Sequence, residues 1–143
     1  MGYKAVNCSE EDKNIIAFHS LLSKRQENLG TNVVVVFGNI ILNTGDAYDG
    51  TTGKFTAPKD GIYSFMWTIL TQPGKYFNTE IVKNSNVIGY NHANGESGSS
   101  IFSSGSSSAI IKMKKNDQVW IRTHGDHGKF AYKNWSSFSG FKL

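Results

Sequence analysis

Alternation of apolar and polar residues is the dominant pattern in this chain. It is clearest at residues 61–71, where large apolar side chains occupy every second position: Tyr63, Phe65, Trp67 and Ile69. Successive side chains of a β-strand point to opposite faces, so this spacing places three aromatic rings and an isoleucine on one face. A helix would distribute the same side chains around its axis. The pattern therefore predicts a long strand in a β-sheet core.

Shorter segments on either side also have the composition of strands. Residues 76–83 alternate, with Phe77, Thr79 and Ile81 on one side, and residues 33–37 are apolar throughout, as in a strand covered on both faces. Turn-forming Gly, Pro and Asn residues separate the segments, and loops are predicted at residues 26–32, 43–53, 72–75 and 84–86. The other predicted strands are residues 15–23, 55–58, 87–91, 109–113, 119–123 and 137–143.

A stretch rich in glycine and serine covers residues 93–108. Its composition alone is typical of a flexible linker. A linker at this point would separate the two apolar halves of the chain, so we predict a long loop followed by a polar-faced strand that continues into residues 109–113. The chain then has about ten strands and no convincing helix, which indicates an all-β sandwich.

A length of 143 residues suits one domain with its own core. We expect a polar N-terminal leader at residues 1–14 and a single globular domain at residues 15–143. No apolar run approaches the roughly 20 residues of a membrane helix, and residues 1–6 lack the apolar core of a signal peptide. The single cysteine, Cys8, lies in the leader and is either an idle thiol or a bridge between subunits.

The spacing of the aromatic residues resembles that of a known family. Eight residues carry the resemblance: Phe37, Asn43, Tyr48, Phe55, Gly61, Tyr63, Phe65 and Trp67. At the same intervals, the globular-head domain of complement component 1q has Phe, Asn or Asp, an aromatic residue, Phe, Gly and alternating aromatic residues. Trp67 departs from the pattern, because the family more often has Phe or Tyr there. Residues 17–20, 116–120 and 137–141 also agree, with Asn116 replacing a turn glycine, and asparagine tolerates a left-handed turn.

The resemblance covers residues 17–143 and implies a jelly-roll sandwich of the complement-1q and tumour-necrosis-factor type, assembled as a homotrimer. The chain has no collagen repeats or long heptad segment, so it is similar to stalkless invertebrate members, several of which are lectins for sialic acid or microbial sugars. The resemblance thus implies a secreted, lectin-like pattern-recognition protein of innate immunity. The alternatives are a trimeric signalling or adhesion ligand for a protein receptor and a purely structural assembly head.

The charge pattern and the missing motifs exclude several other classes of protein. The net charge is +4, and the basic residues are spread along the chain rather than forming a nucleic-acid-binding stripe. We expect no nucleic-acid partner and no membrane insertion, whereas a basic surface favours an acidic ligand. The chain lacks a nucleophile elbow, a phosphate-binding glycine loop and a zinc-protease motif, so we expect no enzymatic activity.

Two segments contain residue types that bind metals. In His124-Gly-Asp-His127 two imidazoles and a carboxylate are close enough in sequence for zinc, but a glycine and an aspartate are also typical of a turn with both histidines in solvent, and we prefer that interpretation. Some relatives hold calcium in the loop that corresponds to residues 94–100, where Glu96 is the only acidic residue; calcium requires six to eight oxygen ligands. We therefore predict no metal site and no cofactor, and the alternative is a calcium ion held by Glu96 and backbone oxygens of three chains.

The last long loop, predicted at residues 123–135, carries the best candidates for ligand binding. Sugar recognition requires flat apolar surfaces and hydrogen-bonding groups, and an acidic sugar also requires cationic ones. The candidates in this loop are Asp126, His127, Lys129, Tyr132, Lys133 and Trp135. A second group near strand ends is expected beside them: Tyr76, Asn78, Tyr90, Asn91 and His92. At least one of Phe130 and Trp135 is expected to turn into the core.

The residues of this loop also favour one class of sugar. Its lysine and histidine content and the positive net charge favour acidic glycans, chiefly sialic acid, with mannose-type microbial sugars as the alternative. Two Asn-x-Ser triplets, at Asn7 and Asn134, are potential glycosylation sites and agree with secretion.

Overall fold

The structure is a computed structural model that describes residues 14–95 and 100–143. These residues form eleven strands, one more than the approximate number predicted: β1 (Ala17–Leu21), β2 (Gln26–Leu29), β3 (Asn39–Thr44), β4 (Tyr48–Asp49), β5 (Lys54–Thr56), β6 (Gly61–Thr71), β7 (Tyr76–Lys83), β8 (Asn86–Asn94), β9 (Ser103–Met113), β10 (Gln118–Ala131) and β11 (Ser137–Lys142). The described part of the chain contains no helix long and apolar enough to cross a membrane.

The strands form two antiparallel sheets. The five-stranded sheet has the order β3-β1-β11-β6-β9, and the six-stranded sheet has the order β4-β5-β10-β7-β8, with β2 also paired to β10. Consecutive strands pair in β4–β5 and β7–β8, whereas other neighbours are distant in sequence, as when β11 pairs with both β1 and β6. This arrangement confirms the prediction of an all-β sandwich.

The core lies between the sheets and is built mainly from aromatic rings. Strand β6 has the predicted bounds, and its four inward side chains are each 1% exposed or less. The Phe18 ring stacks on Tyr48 with centroids 4.6 Å apart and meets Phe138 edge-on at 4.9 Å. The indole Nε1 of Trp67 donates a hydrogen bond of 2.8 Å to Thr79 Oγ1 on the opposite sheet. The inward positions that alternation predicted are therefore confirmed.

Gly140 on β11 marks the tightest point of this aromatic packing. A Cβ atom at this position would lie 2.6 Å from Cδ1 of Phe65 and 2.9 Å from Cε1 of Phe18, and real Cβ atoms essentially never approach so closely. The missing side chain thus allows the two rings to pack directly against the strand backbone.

Two predictions between residues 26 and 37 are wrong. Residues 33–37 are not a strand: they make only one isolated bridge, Val34 to Arg122, although Val35 and Phe37 are fully buried as expected. Residues 26–32 are not all loop, because β2 pairs with the end of β10. The strand was missed because its residues are polar and none of them is buried. Its pairing depends on a long-range contact with β10, which local composition does not predict.

The predicted bounds of the last loop, residues 123–135, are also wrong. Strand β10 continues to Ala131, so most of the segment at residues 123–135 belongs to a strand and only the turn before β11 remains irregular. The segment contains the turn-forming residues Gly125 and Asp126, and in the structure they lie where the pairing of β10 with β7 is interrupted, between Thr123 and Gly128. As expected, Phe130 is buried, at 5% exposure, whereas Trp135 is 72% exposed.

The glycine- and serine-rich segment is a strand from Ser103, as predicted. Its polar face follows from the pairing of β9 with β6, which places small hydroxyl side chains on the outside of the five-stranded sheet. Asn116 adopts a left-handed φ of 75° in the turn before β10, as expected for a residue that replaces a turn glycine. The proposed roles of Cys8, Asn7 and Glu96 concern residues outside the described ranges.

The outer face of the five-stranded sheet carries exposed apolar side chains. Register pairs Ser64 of β6 with both Ile110 of β9 and Phe141 of β11, so these residues share one face with Ile62 and Met66. The four large side chains are between 41% and 70% exposed. A sheet face of this composition is typical of a surface that associates with another protein chain.

Candidate functional site

A wide bulge in β10 shapes the outer face of the six-stranded sheet. Thr123 pairs with Thr79 and Gly128 pairs with Phe77, so the four residues 124–127 stand opposite the single residue Asn78. Gly125 supplies the left-handed φ of 59° that the bulge requires. The excess residues therefore leave the plane of the sheet and carry His124 and His127 with them.

A cleft of about 280 Å³ lies between this bulge and strands β7 and β8. Its walls come from residues that register places side by side, since Asn78 pairs with His92 and Glu80 pairs with Tyr90. Nδ1 of His92 shares a short hydrogen bond with Oδ1 of Asn78. The cleft is lined by Asn78, Thr79, Tyr90, Asn91, His92 and His124.

A buried carboxylate lies beneath the cleft. The Glu80 side chain is only 5% exposed; its Oε2 accepts hydrogen bonds of 3.0 Å from Nε and 2.9 Å from Nη2 of Arg122. Its Oε1 lies 2.7 Å from Nδ1 of His124. Both carboxylate oxygens are therefore hydrogen-bonded, and the charge of Glu80 is compensated by Arg122. This contact also fixes the orientation of the His124 ring.

Two tyrosines pack against the two histidines of the bulge. The Tyr90 ring meets His124 edge-on with centroids 5.5 Å apart, and Tyr76 lies 5.4 Å from His127. Tyr90 is 62% exposed, so much of its ring is open to a ligand. The arrangement offers an aromatic surface beside imidazole and amide groups.

The predicted ligand residues divide between two places. His92 lines the cleft, Asp126 and His127 lie in the bulge beside it, and Tyr76 packs against His127. Asn91 is 6% exposed, and its amide donates to the carbonyl of Gly105 on β9, so this side chain ties the two sheets together at their open edge. Lys129 lies on β10 beyond the bulge.

The remaining candidates lie at the end of the sandwich opposite the start of β1 and the end of β11. Tyr132 and Trp135 line a second, almost wholly apolar pocket of about 400 Å³ together with Leu70 and Phe102. Rings of Tyr132 and Phe102 pack with centroids 5.5 Å apart. Lys133 is exposed in the same turn, next to Asn134. The single ligand-binding loop of the prediction is therefore two separate surfaces.

Sequence reasoning missed the buried Glu80 and its partner Arg122. Alternation on β7 places Glu80 on the outward face, which ordinarily predicts a solvated side chain. Only the register between β7 and β10, which brings Arg122 opposite Glu80, shows that the two side chains pair. Phe102 was missed as well, because it lies in a segment dominated by glycine and serine.

The described residues contain no group of three or more His, Cys, Asp or Glu side chains placed to hold a metal ion. Glu96, the one acidic residue of the segment considered for calcium, lies outside the described ranges.

Comparison with known proteins identifies the family. The sequence profile of the C1q domain matches residues 17–143. The chain is 33% identical over 130 residues to the heavy metal-binding protein HIP of Mytilus edulis, covering 90% of this chain and 60% of that protein. It is 31% identical over 138 residues to complement C1q tumor necrosis factor-related protein 3 of Mus musculus, covering 90% and 51%. The chain thus spans between half and two thirds of the length of these relatives.

Solved structures show the same fold. The globular domain of zebrafish complement 1qA protein superposes with a TM-score of 0.74 at 21% identity, covering 90% of this chain and 97% of that one. Murine APRIL superposes with a TM-score of 0.69 at 12% identity, covering 91% and 100%. These likenesses confirm the predicted jelly roll. Together with the match of the sequence profile, they show that the chain belongs to the C1q domain family.

Proposed function

We propose that this chain is a secreted, trimeric, lectin-like pattern-recognition protein that binds glycans in the cleft of the six-stranded sheet. The observation that carries the proposal is the exposed Tyr90 ring beside the imidazoles of His92 and His124 and the amide of Asn78. An aromatic face packs against the apolar face of a sugar ring, and the polar groups match its hydroxyls. The role is binding, without catalysis.

Acidic sugars, chiefly sialic acid, are the ligands proposed for the cleft, because the positive net charge of the chain favours them. Arg122 is paired with Glu80, so its charge is already compensated. The polar side chains left to contact a sugar carboxylate are the imidazoles of His92 and His124, the amide of Asn78 and the hydroxyl of Tyr90. Mannose-type microbial glycans are the alternative, since they would use the same hydroxyl-matching groups without the charge.

Trimer formation through the outer face of the five-stranded sheet is part of the proposal. The exposed apolar residues Ile62, Met66, Ile110 and Phe141 support it, because such a face is stabilised when another subunit covers it. Three sites in one assembly would then raise the avidity for repeated surface glycans without any new contact at the single site.

Two exposed aromatic side chains allow a matched test of the site. Tyr90 is 62% exposed in the cleft, and Trp135 is 72% exposed in the apolar pocket. Tyr90→Ala is expected to weaken binding to a sialylated ligand by about tenfold, and Trp135→Ala to leave it unchanged. The opposite result would move the sugar site to the apolar pocket. Loss of binding to a protein receptor in Trp135→Ala, with no sugar binding by the native chain, would favour a receptor ligand instead.

Metal binding is a second candidate function, favoured by the mussel relative, which is named a heavy metal-binding protein. The chain spans 60% of that relative. Calorimetric titration of the purified chain with Cu²⁺ and Zn²⁺ tests this function directly: saturable heat supports it, and the absence of heat with both metals refutes it.

A further inference from the structure

The bulge of β10 brings two imidazoles to the same side of the sheet. The His124 and His127 ring centroids are 6.3 Å apart, and the planes are tilted by 42°. Gly125 makes the turn between them, and the His127 ring lies over it, since a Cβ at Gly125 would lie 3.3 Å from Cδ2 of His127. Two side chains three residues apart are thereby neighbours at the rim of the cleft.

The contact of His124 with Glu80 prepares one ring for a metal. A histidine that binds a metal almost always donates its other ring N–H to a carboxylate or carbonyl, which fixes the tautomer and makes the ligand nitrogen more basic. Nδ1 of His124 lies 2.7 Å from the buried carboxylate of Glu80, which leaves Nε2 as the basic nitrogen of the neutral ring. Arg122 holds that carboxylate in place through two hydrogen bonds.

The distances suit a metal shared by the two rings. Metal–nitrogen bonds of about 2.0–2.1 Å place two imidazole centroids about 5 Å apart around a tetrahedral ion and about 4.5 Å apart at neighbouring positions of a tetragonal Cu²⁺ ion. The observed 6.3 Å requires a closure of about 1–2 Å, which side-chain rotation in an exposed bulge supplies. The His124 and His127 side chains are 53% and 46% exposed, so an ion reaches both from solvent.

We propose that His124 and His127 bind one borderline divalent cation, Cu²⁺ in preference to Zn²⁺, with solvent completing its coordination. The proposal rests on the second candidate function, because it assigns that function to a site. Imidazole ligands suit copper and zinc, and the general order of affinities places Cu²⁺ above Zn²⁺. The two imidazoles do not suit calcium, because calcium requires oxygen donors. Asp126 adds negative charge beside His127, with Oδ1 3.4 Å from Nε2.

The test compares histidine variants in a Cys8→Ser background, so that the thiol makes no contribution. His124→Gln/His127→Gln is expected to weaken Cu²⁺ binding at least tenfold, whereas His19→Gln, on β1 of the other sheet, leaves it unchanged. Glu80→Gln is expected to weaken it by roughly tenfold through the orientation of His124. Near-ultraviolet circular dichroism checks that each variant is folded, and nitrogen couplings in the Cu²⁺ electron paramagnetic resonance spectrum report imidazole ligation.

The outcomes separate the site from the function. If the native chain binds neither metal, the second candidate function fails and the site fails with it. If the native chain binds Cu²⁺ and the folded double variant binds it equally well, only the assignment to His124 and His127 is wrong. A loss of Cu²⁺ binding in His19→Gln, or a preference of the native chain for Ca²⁺, would also overturn the assignment.

Discussion

Replacement of Trp67 by phenylalanine tests the central strand most directly, because Trp67 is the largest of the fully buried side chains in the described residues. The Trp67 side chain is fully buried between the sheets, and its Nε1 donates to Thr79 Oγ1 at 2.8 Å. The surrounding side chains are packed around an indole, which a phenylalanine ring does not fill. We therefore expect Trp67→Phe to fold and to be markedly less stable.

The expected loss has two parts. The smaller ring removes about three buried heavy atoms, which at about 0.8 kcal/mol for each carbon-sized group lowers the free energy of unfolding by about 2–2.5 kcal/mol. Thr79 is also fully buried, and a buried hydroxyl that loses its partner costs a further 1–2 kcal/mol, approximately. The total of about 3–4.5 kcal/mol corresponds to a fall in Tm of roughly 10–15 °C for a domain of this size.

The assay is denaturant unfolding followed by tryptophan fluorescence and circular dichroism, at one fixed protomer concentration because association contributes to stability. Thr79→Val is the companion variant, since it removes the hydroxyl and keeps the volume. A double-mutant cycle of the two changes should give a coupling energy of about 1 kcal/mol. A loss below about 1 kcal/mol in Trp67→Phe would contradict the packing described, and zero coupling would contradict the hydrogen bond.

Three further predictions concern other parts of the sandwich. Gly140→Ala should destabilise the domain by about 2 kcal/mol or more in thermal unfolding, since its Cβ would lie 2.6 Å from the Phe65 ring; unchanged stability would contradict that contact. Hydrogen bonds, chiefly from the backbone N–H of Lys114, hold the pKa of Asp117 below its usual value, so its stabilising effect is present above about pH 4 and is lost on further acidification. Acid unfolding of Asp117→Asn should therefore converge with that of the native chain below about pH 4, and parallel curves throughout would contradict this assignment. Ile110→Asp, at 70% exposure, should reduce the trimer fraction in light scattering while the monomer stays folded, and an intact trimer would exclude this face.

The core was predictable from sequence because it depends on local alternation. The inward positions of β6 and β7 follow from period two alone, and both strands have the predicted bounds. The polar strand β9 was predictable only by reference to the apolar segments on either side of it. In each case the pattern reports which face of a strand meets the core, and burial follows from that.

The site was less predictable because it depends on register between distant strands. His92 lies opposite Asn78, and Arg122 lies opposite Glu80, through pairings that no local pattern specifies. The extra residues in the bulge were predicted to belong to one long loop. The prediction therefore treated the cleft and the apolar pocket as a single surface. Tyr132 and Trp135 are separated from the cleft because β10 continues to Ala131.

The most direct test of the proposed function is binding of the purified native chain to a glycan array that holds sialylated, mannose-rich and neutral galactose structures. We expect selective retention on sialylated glycans and its loss in Tyr90→Ala. Retention on mannose-rich structures alone would keep the lectin and contradict the preference for acidic sugars. A blank array, with the protein shown to be folded and trimeric in the same buffer, would contradict glycan binding itself.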